Sequence, residues 1–257
     1  MESKYKEQAK EILDIINQSK KICIITGAGI STASGIPDFR GENGIYKEKR
    51  DNVFDLEKFI ENPEKFYSFG KNFFPILYSA EPNSSHYLLV KLEKTGKIDM
   101  IITQNIDNLH KKAGSKKLME IHGSFTEFKC VKCDYKTEIN KVFDKIVKGE
   151  VPYCKRCNGL LKPNIIFFGE KPDITKVNKA IKSASESDLC IIMGSSLTVQ
   201  PVARIPEYAL DNGAKLIIIN KGNTYLDDYS FKKYDMETEK LAKELIRISE
   251  QKKFFVF

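Results

Sequence analysis

Four cysteines are spaced to hold one metal ion. Two residues separate Cys130 from Cys133, two separate Cys154 from Cys157, and twenty lie between the pairs. Each Cys-x2-Cys turn presents two sulfurs to a common ion, and two such turns complete the tetrahedron of a zinc ribbon. Four thiolates leave no open coordination position, so one structural zinc is expected, not a catalytic one. Two disulfides or unligated thiols are the alternatives. The charged N-terminus MESKYKEQAKE offers no secretory core, which predicts a cytoplasmic chain where disulfides are rare. Cys23 and Cys190 sit inside apolar runs and read as core thiols.

Acid–base work by imidazole is limited to His86, His110 and His122. A lone histidine is more often structural than catalytic. His86, after Ser84-Ser85 at an expected helix start, fits the structural role; His110 reads either way. His122-Gly123 follows the apolar stretch 118–121. Thr103-Gln104-Asn105-Ile106-Asp107 supplies two carboxamides and a carboxylate. Gly27-Ala28-Gly29-Ile30-Ser31 forms a turn through which backbone N–H groups can approach a pyrophosphate, and it should lead into a helix. Thr32 stands where a third glycine would complete that fingerprint, and no acidic residue marks a second strand ~20 residues on. Ser34-Gly35-Ile36-Pro37-Asp38-Phe39-Arg40-Gly41 reads as a plain connecting loop or as a flap, with Phe39 excluding water and Arg40 facing phosphate.

These groups need elements to hold them. The runs 22–25, 100–102, 189–193 and 216–219 are short, apolar throughout and rich in isoleucine, as strands buried on both faces of a parallel sheet must be. Helical patterns at 5–19 (Ala9, Ile12, Leu13, Ile16), 84–94, 174–185, 205–212 and 237–250 precede or separate them. The alternation predicts an open α/β sheet. Each run ends in small or amide residues, and such sheets bind ligands beyond the carboxyl ends of their strands. Gly, Ser and Asn are also ordinary turn residues, but four ends of this kind point to one polar crevice. The aromatic stretch 39–82 and the cysteine stretch 130–157 break the pattern and read as a smaller second lobe.

Composition sets the outer limits. With 257 residues, 41% hydrophobic and 30% charged, the chain has material for one large core and is neither disordered nor a disulfide scaffold. No apolar run approaches the ~18 residues of a membrane span. The net charge of +7 rests on lysine: of 42 basic residues only Arg40, Arg50, Arg156, Arg204 and Arg247 are arginine. Scattered lysines read as a solvated surface, which makes nucleic acid an unfavoured partner.

Taken in order, the motifs resemble the sirtuins, NAD-dependent protein-lysine deacylases. They are GAGISTASGIPDFRG at 27–41, TQNID at 103–107, HG at 122–123, the four cysteines, FGE at 168–170, GSSL at 194–197 and IN at 219–220. The resemblance implies a Rossmann-like doubly wound parallel sheet, with a smaller lobe made of the zinc-ribbon module and a helical insert. The boundaries it suggests are 1–38, 76–127 and 160–257 for the NAD-binding domain, 39–75 for the helical insert and 128–159 for the zinc module. It implies NAD contacts at Ala28, Thr32, Phe39 and Arg40; at Gln104, Asn105, Ile106 and Asp107; and at Gly194, Ser195, Ser196, Asn220 and, in a weaker match, Asp235. His122 falls on the catalytic base, with Asn105 in the catalytic set. Ile166, Phe168, Gly169, Glu170 and, across the cleft, Val199 fall on walls that pair with a peptide substrate, and Phe54 is a candidate for the acyl pocket.

The reaction implied is attack of an acyl-lysine amide oxygen on the ribose C1′ of NAD, releasing nicotinamide. His122 then helps a ribose hydroxyl attack the O-alkylamidate, to give free lysine and O-acyl-ADP-ribose. Sirtuins that prefer succinyl groups carry a Tyr-x-x-Arg pair, at places held here by Gly70 and Phe73, so acetyl or longer fatty acyl groups are expected on an acylated protein or peptide partner. ADP-ribosyl transfer to protein and a lysine-rich zinc ribbon that reads nucleic acid are the rivals. A conventional dehydrogenase is disfavoured because the acidic second-strand residue is missing.

Overall fold

The computed structural model describes residues 2–38 and 53–251. Six parallel strands form the main sheet: β1 Ile22–Thr26, β2 Ile98–Thr103, β3 Leu118–Glu120, β7 Leu189–Met193, β8 Lys215–Ile219 and β9 Lys232–Tyr234. Their spatial order is β3-β2-β1-β7-β8-β9, the 3-2-1-4-5-6 arrangement of a doubly wound dinucleotide-binding sheet. The strand order reverses between β1 and β7.

Alternation along each strand builds two cores from one apolar run. Ile22, Ile24, Ile101, Leu189, Ile191 and Ile217 face α1 Glu2–Gln18, α4 Ser84–Lys94 and α9 Thr238–Gln251. Cys23, Ile25, Ile102, Cys190, Ile192 and Ile218 face α7 Ile174–Ser185 and α8 Ile205–Asp211. Both cysteines are fully buried, as core thiols should be. Ala9, Ile12, Leu13 and Ile16 form the buried stripe of α1. The second strand starts earlier than its apolar run because Asp99 is satisfied by Ser183 of α7, whose Oγ donates to it over 2.6 Å.

The smaller lobe is an antiparallel sheet of β4 Gly123–Cys130, β5 Lys136–Glu138 and β6 Leu161–Ile165, in the order β5-β4-β6. Against it pack α2 Leu56–Glu61, α3 Pro63–Ser79 and α6 Phe143–Lys148, while α5 Leu109–Ala113 follows the second strand of the main sheet. Asn62 caps α3 by accepting from the Lys65 amide over 3.0 Å, and Pro63 occupies the first helical position, where a missing N–H costs nothing. The lobe has its own aromatic core, in which Phe59, Phe66, Tyr67, Phe74, Phe125, Phe128 and Phe167 are buried.

Three features depart from the sequence reading. The turn at Gly27 does not lead into an α-helix. It continues as two short 3₁₀ turns, Ala28–Ile30 and Thr32–Ser34, and ends at Gly35 with φ +82° just before Pro37, a backbone that cannot propagate a helix. The last strand of the main sheet lacks an apolar run altogether, because an edge strand is tolerant of charge. Finally, β6 contains Pro163, tolerable because this strand lies at the sheet edge, and it buries Lys162 to 1% exposure.

Candidate active site

The register of the main sheet aligns its carboxyl ends. Glu120, Thr103, Thr26, Met193, Ile219 and Tyr234 lie side by side in one row. The residues just beyond that row are therefore gathered along one edge, where Gly27, Gln104, Gly194 and Asn220 help to line a cavity of about 410 Å³. That volume is in the range of a small-molecule site.

At the switch between β1 and β7 the two loops touch backbone to backbone. The Gly29 amide donates to Gly194 O over 2.8 Å, and the Gly27 amide donates to Met193 O over 3.1 Å. Gly194 has φ +62°, and a Cβ on it would lie 2.4 Å from the Ile30 nitrogen, so no other residue fits. Ala28, Ser195 and Ser196 line the cavity on either side of this contact. Gln104 spans the crevice floor, its Nε2 donating to Ser195 Oγ over 3.1 Å.

Asn105 is pinned from two directions: its Nδ2 donates to Gly27 O over 3.1 Å and to Ser31 Oγ over 3.0 Å. Ser31 in turn donates to Asp107 Oδ2 over 2.7 Å, while Asp107 Oδ1 accepts from the Leu109 amide over 2.9 Å. Asp107 thus lies buried behind the wall that Asn105 and Ile106 present to the cavity. Burial pushes its carboxyl above the usual range, against the bonds from Leu109 and Ser31. Thr32 is exposed at the rim, its hydroxyl donating to Gly29 O over 3.1 Å. Asp235 works at one remove, accepting from the amide of the cavity-lining Gly222 over 2.9 Å. Phe39 and Arg40 lie outside the described residues.

His122 stands between β3 and β4, on the cavity wall. Its Nδ1 lies 3.0 Å from Gln104 O. A carbonyl can only accept, so Nδ1 carries the proton and Nε2 keeps its lone pair. Burial holds the imidazole below its ordinary pKa, opposed by the bond to Gln104. Gly123 next to it has φ +80°, and a Cβ there would lie 2.1 Å from Asn164 O, so the chain can turn so tightly only at glycine.

The other two histidines support the site from behind. His86 Nδ1 accepts from the Asn83 amide over 3.3 Å in a capping box at the start of α4. Asn83 Nδ2 donates to Ile30 O over 2.7 Å and to Ser34 Oγ over 2.9 Å, tying the glycine loop to that helix. His110 Nε2 pairs with Thr26 Oγ1 at 2.9 Å, and the two imidazoles lie edge to face with centroids 5.1 Å apart. Asn83 was invisible as a site residue in sequence; its only signal was the Asn-Ser-Ser-His capping pattern.

Opposite the crevice, 165–170 forms a wall. The Ile166 amide donates to His122 O over 2.9 Å; the Phe168 amide donates to Phe54 O over 2.8 Å, and Phe168 O accepts from the Leu56 amide over 3.0 Å. Ile166, Phe168, Gly169 and Glu170 line the cavity, with Val199. The Glu170 carboxylate is folded inward: Oε2 accepts from the Phe167 amide over 2.8 Å and from Lys162 Nζ over 2.7 Å. Phe54 lines the cavity in front of an aromatic box, its ring edge-on to Phe66, Phe69, Phe73 and Phe167 at centroid distances of 5.7 to 6.3 Å. Gly70 and Phe73 sit buried in α3, the latter part of that box.

Sγ atoms of Cys130, Cys133, Cys154 and Cys157 all lie within 4.8 Å of one another, three of the separations being 3.5 to 3.7 Å. A zinc tetrahedron with Zn–S bonds of about 2.3 Å has edges of about 3.8 Å, so the four sulfurs fit the ion. The Lys132 and Arg156 amides point at Cys130 and Cys154 sulfurs over 3.3 and 3.4 Å, which supports thiolate charge.

A doubly wound sheet with a crevice at its switch point, a histidine base and a four-cysteine ribbon define a dinucleotide-using enzyme of the zinc-bearing kind. The profile of the Sir2 family matches residues 27–201, and the chain belongs to that family. It is 48% identical over 238 residues to the NAD-dependent protein deacetylase of Thermotoga maritima, covering 92% of this chain and 96% of that one. Among solved structures it resembles a Sir2–p53 peptide–NAD+ complex (TM-score 0.87, 45% identity, 95% of this chain and 98% of that one). It likewise resembles Sir2Tm bound to a propionylated peptide (TM-score 0.85, 43% identity, 95% and 98%).

Proposed function

We infer that this protein removes acyl groups from protein lysines with NAD as co-substrate, yielding free lysine, nicotinamide and O-acyl-ADP-ribose. The observation that carries the reading is the position of His122, whose unprotonated Nε2 shares one cavity with the strand-end crevice and with the 165–170 wall. When bound, NAD supplies an electrophilic ribose carbon that already bears a cationic leaving group. Gly27, Gly194 and their neighbours would hold the dinucleotide, with Asn220 and Asp235 serving its adenosine half. Asn105, fixed by Gly27 O and Ser31, holds the reacting ribose in place. His122 Nε2 takes the proton of a ribose hydroxyl.

The aromatic rings behind Phe54 receive the acyl chain without charge, which favours acetyl and longer fatty acyl groups over acidic ones. Ile166, Phe168 and Gly169 would pair with the peptide backbone, with Val199 across the cleft. The separate aromatic core supports a smaller lobe of its own. Since that core takes in α3 to Ser79, β4 from Gly123 and Phe167, the lobe reaches beyond the breaks expected at 75, 127 and 159. Among the described residues no helix is long and apolar enough to cross a membrane. Six cysteines without a disulfide support a reducing compartment, the cytoplasm.

The deciding experiment incubates the protein with NAD and peptides bearing acetyl, longer acyl or succinyl lysine. Nicotinamide release with loss of acyl mass is expected for the first two and not for succinyl. His122→Ala should lower turnover by about 10²-fold or more while binding NAD. Wild-type turnover by that variant removes His122 from the chemistry, and a mass gain on protein would replace deacylation with ADP-ribosyl transfer.

A further inference from the structure

A charge with almost no access to water stands behind the substrate wall. Lys162 projects from β6 with its side chain 1% exposed, and a buried ammonium persists only where its donors are met. Here they are met by one short stretch of chain. Nζ lies 2.7 Å from Ile165 O, 3.3 Å from Pro163 O and 2.7 Å from Glu170 Oε2, with the Phe167 ring centroid 3.9 Å away. The same Glu170 oxygen accepts the Phe167 amide, and Lys129 Nζ approaches Oε1 at 3.4 Å. Both ends and the middle of 165–170 are therefore drawn in around a single nitrogen. Every residue from Ile165 to Glu170 lines the cavity, so the segment gathered by this nitrogen is the wall itself.

We propose that Lys162 is a positioning residue for the acylated peptide, holding 165–170 in the shape that receives the substrate backbone without touching substrate itself. The inference rests on the deacylase reading above. A lysine suits this role because its compact ammonium can serve two carbonyls and a carboxylate from one point. Among the described residues no other cation is placed as deeply at the inner face of this segment, and removing Lys162 frees the segment. The loss should fall mainly on peptide recognition, because the glycine loop and Asn105 are held by separate bonds and the His122 ring is fixed by Gln104 O, although the His122 carbonyl also accepts from the Ile166 amide.

Steady-state kinetics on Lys162→Met and Lys162→Arg, with zinc content and thermal melting measured alongside, tests this. For Lys162→Met we expect the peptide KM to rise about 10-fold while the NAD KM and kcat stay within about 2-fold, with most of the rise recovered by Lys162→Arg. An acetyl-lysine amide without flanking peptide bonds should show no such rise, since it does not use the wall. Burial lowers the Lys162 ammonium to about 8, with Glu170 opposing and Lys129 adding to the fall. The wild-type peptide KM should accordingly climb between pH 7 and 9, while that of Lys162→Arg stays level. If Lys162→Met does not fold, Lys162→Gln, a neutral amide that leaves Glu170 and its bond to the Phe167 amide in place, is measured instead. An unchanged peptide KM in a folded variant, or equal losses for peptide and minimal substrate, overturns the proposal. Absence of any deacylation by the wild type would instead overturn the functional reading on which it rests.

Discussion

His122 shows how little a residue type says without its neighbours. Read alone it was one histidine of three, and only its place in an ordered set of motifs made it a base. The structure adds the reason: a carbonyl at Nδ1 fixes the tautomer, and burial keeps the ring neutral. Because the folded pKa is lowered, the base is ready at lower pH than a free imidazole. The acid limb of kcat should therefore lie below about 6.5, the ordinary imidazole value, when deacylation is followed from pH 5 to 8. A limb at or above that value would show that the ring is charged more easily than its burial allows. Lys162 is the opposite case. In sequence it is one of many lysines, and nothing in LKPNI marks it as buried; its partners lie one to eight residues further on.

At the scale of elements, the glycines of two separate loops are read correctly only as a pair. Gly27 and Gly29 belong to an incomplete fingerprint and Gly194 to an ordinary strand end, yet each occupies space the other loop needs. Gly194→Ala would place a Cβ against the Ile30 nitrogen at positive φ. It should cost about 1–3 kcal/mol of stability and weaken NAD binding about 10-fold or more, as calorimetric titration and melting would show. NAD binding at wild-type strength would contradict the close approach of the loops. The zinc ribbon is the element most fully legible in advance, since its chemistry needs four sulfurs at fixed spacing. Cys154→Ser should lose the metal and loosen the small lobe, since zinc binding supplies folding energy. A variant retaining one equivalent of zinc and an unchanged melting temperature would count against the site.

For the whole molecule, the two buried imidazoles behind the glycine loop set the acid limit of stability. Burial lowers His86 to about 4; burial, and next the nearness of His86, lowers His110 to about 3. The unfolded chain takes up these protons near pH 6.5 and the folded one does not, so the stability they allow is complete above that pH. It is lost as the pH falls from 6.5 towards 4 for His86 and towards 3 for His110. At pH 5 each imidazole costs about 2 kcal/mol relative to pH 7. Urea midpoints at the two pH values measure this, and His110→Gln, which keeps a partner for Thr26, should flatten the difference. An equal slope in that variant would assign the acid sensitivity elsewhere.

Periodicity and spacing determined the four central strands of the main sheet, the main helices, the four-sulfur site and the edge on which a ligand must lie, because those depend on local pattern and on how side chains alternate. The order of motifs added the chemistry. What the sequence left undecided was whichever feature depends on residues far apart in the chain. The edge strand Lys232–Tyr234 forms because β8 offers a partner, and the antiparallel sheet forms because β4 and β6 meet across the cysteine module. Asn83 and His86 became supports of the site only when α4 packed against the glycine loop. Lys162 became buried only when its strand closed over the aromatic core. Contacts of that kind carry no local signature, since each partner separately looks like a surface residue, a cap or a turn, and their energy exists only once the chain has brought them together.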